Sequence, residues 1–223
     1  MKRLCTSLAL LAGLCACAPA PLQHGAPAAS ADFSAWYHAA AAREPVYRID
    51  PARSLIAVTV RRGGPFARFG HDHVVASRTV SGWVAPRSGR ADFRFRLDEL
   101  SVDEAGLRAA AGLDTQPSAE DIAGTRANML NKVLEAARYP VVSLHAERIA
   151  GVPGSLRLAV TLHGVTRVLD VPVRVETGAQ ALSAEGTLRL LQSEFGITPM
   201  SIMGGALRVE DAMELRFTLL ARR

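Results

Sequence analysis

From Val46 onward the chain alternates apolar and polar residues with a period of two, and this rhythm restricts the fold more than any other feature. Ala91, Phe93, Phe95 and Leu97 alternate with Arg90, Asp92, Arg94 and Arg96. Leu156, Leu158, Val160 and Leu162 alternate with Ser155, Arg157, Ala159 and Thr161. The same holds for Leu169, Val171, Val173 and Val175, and for Met213, Leu215, Phe217 and Leu219. Successive side chains on a strand point to opposite sides, so each segment has one apolar and one wet face. Buried parallel strands would be apolar on both faces, so the pattern predicts antiparallel sheet and an all-β domain.

One segment departs from this rhythm. Ile122, Met129, Leu130, Val133, Leu134 and Ala137 recur at helical spacing, and Ser118 followed by Asp121 has the form of a capping box. The spacing predicts a helix over 118–137. Arg138-Tyr139-Pro140 should stop it, because proline restricts the residue before it. Gly63-Gly64-Pro65, 151–154 and His163-Gly164 read as turns, and no internal repeat is present. Short strands with one helix make a closed barrel or a sandwich.

The N-terminus has its own pattern. Met1-Lys2-Arg3 precedes an uncharged apolar run from Leu4 to Ala18, which reads as an export signal, too short to span a bilayer. A buried N-terminal helix is the alternative, but nothing amphipathic follows. All three cysteines, Cys5, Cys15 and Cys17, lie within this run, so the remaining chain has neither disulfide nor thiolate metal site. Leu14-Cys15-Ala16-Cys17 resembles a bacterial lipobox with Cys17 as the lipidated residue; ordinary cleavage after Ala18 or Ala20 is the alternative. Lipidation would anchor the protein to a membrane, and Ala18 after the cysteine, instead of Asp, is similar to outer-membrane sorting signals. The expected organisation is a signal over 1–17, an Ala/Pro-rich tether over 18–43 with a short helical piece around Phe33, Trp36 and Tyr37, and one domain over 44–223 in the periplasm. His24 and His38, in the tether, are expected to be inert.

Net charge is +5, and removing Lys2 and Arg3 leaves only 24 basic against 21 acidic residues. These are interspersed and aromatics are only 5 %, which argues against a nucleic-acid partner. No G-x-S-x-G occurs, and Ser77 and Ser193 carry no nucleophile signature, so no enzyme activity and no cofactor are expected. The most chemical-looking segment is Phe69-Gly70-His71-Asp72-His73. Histidines at i and i+2 of a strand share a face; His71 and His73 could hold a metal with a third ligand from His145, His163 or an acid, which would make the alternative a metal-binding protein or metal-dependent enzyme, or they could orient a ligand by hydrogen bonding. Leu162 to Arg167 reads as a hairpin, and Gly196 after Phe195 as a break in a strand. Met200, Ile202 and Met203 are placed to line a cavity or cover a barrel end.

Four features in order resemble the YceI-like domain family. They are Tyr47-Arg48-Ile49-Asp50 followed by Ser54, the helix leading to Arg138-Tyr139-Pro140, the hairpin His163-Gly164-Val165-Thr166-Arg167, and Phe195-Gly196. The resemblance spans roughly 46–221 and implies a lipocalin-like, extended antiparallel β-barrel of about eight strands with one packed α-helix. It also implies a long apolar ligand inside, an isoprenoid or acyl lipid such as a polyisoprenoid or fatty-acid amide. On it, the ligand-contacting candidates are His71, His73, Phe93, Phe95, Met129, Leu130, His163 and Phe195. The chain departs from the family where Ala127 and Met129 replace an acid and a histidine near the helix, where the helix-to-proline stretch is about two residues short, and where Gln192 replaces an arginine. These changes remove polar groups that would hold a head group, and imply a different or more neutral ligand.

Overall fold

The computed structural model describes residues 33–223. The expected signal segment, Cys17, and 18–32 of the expected tether lie outside the described residues. The alternating segments become strands: β1 (Tyr47–Ile49), β2 (Leu55–Gly63), β3 (His73–Ser77), β4 (Ser81–Ala85), β5 (Arg90–Arg96), β6 (Ser101–Val102), β7 (Val141–Arg148), β8 (Ser155–Leu162), β9 (Val165–Thr177), β10 (Ala181–Leu191), β11 (Ser201–Ile202) and β12 (Leu207–Arg222). Every pairing among them is antiparallel.

These segments build eight barrel strands, because three of the eight are interrupted. β1 and β2 run along the same edge of β12, with Ile49 opposite Ala221 and Leu55 opposite Thr218. β3 and β4 continue one another against them, Ser77 opposite Ile56 and Val84 opposite Tyr47. β5 and β6 do the same in the next position, Arg94 opposite Ser81 and Ser101 opposite Ala76. β7, β8, β9 and β10 follow in chain order, and β12 returns to β1 and β2, closing the ring. Closure pairs the two ends of the sheet with each other and leaves unpaired edge only where β9 and β10 separate, before Val173 and after Gly186.

Local chemistry explains the joints. The His163-Gly164 connection has φ of 53° and 74°, the pair of positive values that a two-residue hairpin needs to match strand twist. A side chain at Gly164 would also strike the Tyr139 ring, 2.7 Å from an added Cβ. Pro172 has no N–H to give, and Val173 donates its own N–H to Gly154 O on the β8 side. Donor direction alternates along a strand, so the missing donor at Pro172 is the one that would face β10. The β9–β10 ladder accordingly runs only from Val173 to Thr177.

The described residues hold three α-helices, α2 being the one not expected: α1 (Ser34–Ala40), α2 (Ala105–Ala110) and α3 (Ala119–Asn128), the last continued by a π turn over Met129–Val133. The Ser118–Asp121 capping box starts α3. The helical run ends at Val133, ahead of the expected stop at Arg138-Tyr139-Pro140. Glu135 turns left-handed (φ 45°), which lets Ala136 N–H reach back to Leu130 O and closes the helix early. The short helix expected around Trp36 is α1, but this part of the tether is not loose: Tyr37 is buried against the barrel wall. No helix of the described residues is long and apolar enough to cross a membrane.

Candidate functional site: a barrel cavity with a polar end

The apolar face of each strand turns inward. Phe93 and Phe95 of β5, Leu158 and Val160 of β8, Val171 and Val173 of β9, and Leu215 and Phe217 of β12 all line one cavity of about 840 Å³. It extends from Met200 and Gln192 at the helix-bearing end to Val152, Pro153 and Gly154 of the β7–β8 turn. Gly186 sits on the inner face of β10, where an added Cβ would meet the Phe217 ring at 2.8 Å; the missing side chain makes room for that ring. Such a cavity suits an apolar guest of drug size or a folded chain.

Polar groups reach this cavity at few places. β3 supplies two, His73 and Ser77, on its inward face. The His73 Nδ1–H donates to Asp103 Oδ2 at 2.6 Å. Asp103, with a left-handed backbone (φ 58°), also accepts from Val74 N–H at 3.0 Å and from Arg108 Nη1 at 2.6 Å. Burial works against its carboxylate, but the hydrogen bonds from His73, Val74 and Arg108 outweigh it and hold the pKa below the usual carboxylate range. Arg108 is itself buried and donates further to Asp72 O and to the Thr115 carbonyl. Ser77 is 1 % exposed and its Oγ has no hydrogen-bond partner. Thr125 and Asn128 of α3 complete the polar positions near His73.

The eight residues singled out from the sequence divide evenly. His73, Phe93, Phe95 and Met129 line the cavity. Leu130 packs into the surrounding core one position from Met129. Phe195 is fully buried and its carbonyl accepts from His163 Nδ1 at 3.3 Å, while His163 packs on Tyr139; both serve the turn. β3 begins at His73, so His71 lies in the loop before it, with ring centroids 6.2 Å apart and its Nδ1 buried without a partner. His73 directs Nδ1 to Asp103, and among the described residues no group of three or more His, Cys, Asp or Glu is arranged to hold a metal.

Sequence reading missed Ser77, Asp103, Arg108 and a second buried cluster on the outer wall. Asp92 belongs to the face expected to be wet, yet it is 1 % exposed because α1 lies over it. It accepts from Tyr37 Oη at 2.9 Å, Arg90 Nε at 2.7 Å and His145 Nδ1 at 2.6 Å. Burial first, then the Asp92 carboxylate, push the Tyr37 phenol well up. Desolvation lowers the His145 pKa, but its bonds to Asp92 and Glu147 outweigh that and the net shift is upward. Trp83 stacks near Tyr37, and the Arg90 guanidinium sits 4.4 Å from the Trp36 ring. This cluster clamps α1 to the outer wall.

The domain matches the YceI-like domain model over residues 47–221, and the chain therefore belongs to the YceI-like family. Two solved structures share the fold. A polyisoprenoid binding domain from Saccharophagus degradans, implicated in plant cell wall breakdown, is 15 % identical, with a TM-score of 0.56 over 79 % of this chain and 97 % of that one. Burkholderia cenocepacia BcnA is 15 % identical, with a TM-score of 0.54 over 77 % of this chain and 98 % of that one. No curated protein matches the sequence.

Proposed function

We propose that the protein is a non-enzymatic carrier or sensor that holds a long apolar lipid, isoprenoid or acyl, inside its barrel. The observation that carries this is the 840 Å³ cavity lined by the inward face of nearly every strand. A filled interior would have served stability better, since close packing of that space contributes dispersion and burial that an empty cavity forgoes. Relatives of this fold include a protein described as polyisoprenoid binding, which supports the same ligand class here. No covalent step is assigned, because Ser77, the buried serine on the cavity wall, has no hydrogen-bonded base and His73 is bonded to Asp103 instead.

The Lys2-Arg3 signal and the Leu14–Cys17 lipobox support export to the periplasm and anchoring of Cys17 in the outer membrane. Delipidated protein should then bind a fluorescent C16 fatty-acid amide or a C20 isoprenoid with one-to-one stoichiometry. Ala184→Phe, which places a ring in the cavity from β10, should reduce that affinity at least tenfold while the far-ultraviolet spectrum stays that of a β protein. Equal binding by the filled variant would place the ligand elsewhere and overturn the reading.

A further inference from the structure

We propose that His73, with Asp103 behind it, forms a head-group site at the helix-bearing end of the cavity, built to accept a hydrogen bond from a neutral hydroxyl on the lipid. The inference rests on the lipid-binding reading and specifies the ligand's chemistry. Three observations meet there. First, His73 is a cavity-lining side chain whose Nδ1 is 2.6 Å from Asp103 Oδ2. An ionised Asp103 can only accept, so Nδ1 carries the proton and a neutral ring presents Nε2 as a bare acceptor. Second, the charges behind the ring cancel: Asp103 pairs with Arg108 Nη1 at 2.6 Å, both are buried, and no uncommitted cation faces the chamber from this pair. A carboxylate or phosphate brought to this end of the cavity would lose its hydration without gaining a counter-charge, since the arginines that line the cavity, Arg90 and Arg148, lie toward the opposite end. An alcohol or phenol needs none and supplies the donor that Nε2 lacks.

Third, Ser77 lies four residues further along β3 on the same inward face, about 13 Å from His73 at the rise of a strand. Its hydroxyl is 1 % exposed and without a partner, which is costly unless something in the cavity satisfies it. β3 therefore presents two polar points, His73 and Ser77 with Val75 between them, along one wall of a mainly apolar interior. The head group docks at His73 and the chain runs past Ser77, where a second polar atom or an ordered water completes the bond.

The test uses a C20 isoprenoid alcohol, its methyl ether and the corresponding carboxylic acid, titrated at pH 7.5 into delipidated protein. The ether keeps the chain and loses the donor; the acid keeps the chain and adds charge. The wild type should bind the alcohol about tenfold more tightly than either analogue, as one hydrogen bond in a dry site allows. His73→Asn keeps a donor for Asp103 but has nothing at the Nε2 position, and should bind alcohol and ether within about twofold of each other. His73→Gln restores an acceptor near Nε2 and should recover part of the preference. Alcohol, ether and acid bound equally by the wild type would overturn the head-group site while leaving the lipid carrier intact. Binding of none of the three would overturn both. The wild-type comparison decides the question even if neither variant folds.

Discussion

At the residue scale, two buried carboxylates organise the molecule, one inside the cavity end and one beneath α1. Asp92 is the more exacting. Replacing it with Ala leaves the buried Tyr37 hydroxyl without its acceptor and takes a shared carboxylate from the half-buried Arg90 and His145, a loss of about 1–3 kcal/mol for an unsatisfied buried group. Urea unfolding of Asp92→Ala should show a loss of that size, whereas an Ala substitution at an exposed ion pair such as Arg157–Asp170 should cost under about 1 kcal/mol. The pH dependence follows from the same cluster. The folded-state pKa of His145 is raised, so its contribution is fully present below the ordinary histidine pKa and is lost as pH rises through the raised value. Melting temperature should fall across that alkaline-side window, and His145→Asn should flatten the fall; an unchanged slope would remove His145 from the clamp. Asp103 behaves oppositely: its depressed pKa gives stability above the ordinary carboxylate range that is lost as pH falls through the folded value.

Neither carboxylate's role was visible in the sequence. Asp92 occupies the polar phase of an alternating strand, which by itself says solvent; only α1, from more than fifty residues earlier, converts that position into a buried one. Asp103 and Arg108 are five residues apart in a stretch with neither period, and their meeting with His73 depends on β6 pairing with β3. The Gly70–His73 segment did stand out, and one of its two histidines reaches the cavity. The other does not, because the strand starts two residues later than the i, i+2 pattern requires.

At the scale of elements, alternation located the inward face of the four segments it was read from, on β5, β8, β9 and β12, since a period of two leaves no freedom once one face is buried. It did not locate the interruptions. The Pro51–Arg53 turn between β1 and β2, residues 78–80 between β3 and β4, and the Leu97–Glu99 turn between β5 and β6 divide single barrel strands, and each would read as a strand end from local sequence. Pro172 is a different case, legible once the donor direction is known. The amides of Arg167, Leu169 and Val171 point to β8, while those of Thr166, Val168 and Asp170 point across the unpaired gap toward β10. Hydrogen exchange should therefore alternate along β9, slow at the first three and fast at the second. Uniform protection would mean that the ladder continues past Pro172. At α3, Ser118→Ala removes the side-chain half of the capping box, leaving the backbone N–H at 118 to donate to Asp121, and should cost about 1 kcal/mol, read as a lower urea midpoint with unchanged slope.

At the scale of the whole molecule, a closed ring of eight strands carries a cavity, a polar end and a clamped N-terminal helix, with the path to any membrane anchor leaving through α1. The lipobox reading requires that Cys17→Ser release the protein from the membrane fraction; unchanged partitioning would mean ordinary secretion. The barrel itself was legible because strand period, turns and the family motifs all pointed to one architecture. The cavity was not, because inward apolar residues read alike whether they meet each other or leave a space; Met129 lines it and Leu130 does not, with nothing local to separate them. The central claim is that this space belongs to a lipid. Mass spectrometry of organic extracts from protein purified natively, without detergent, tests it most directly. A long-chain apolar lipid should appear near one equivalent per chain in independent preparations, depleted in Ala184→Phe. Repeated preparations with no bound lipid, from cells that make both isoprenoid and acyl lipids, would contradict it.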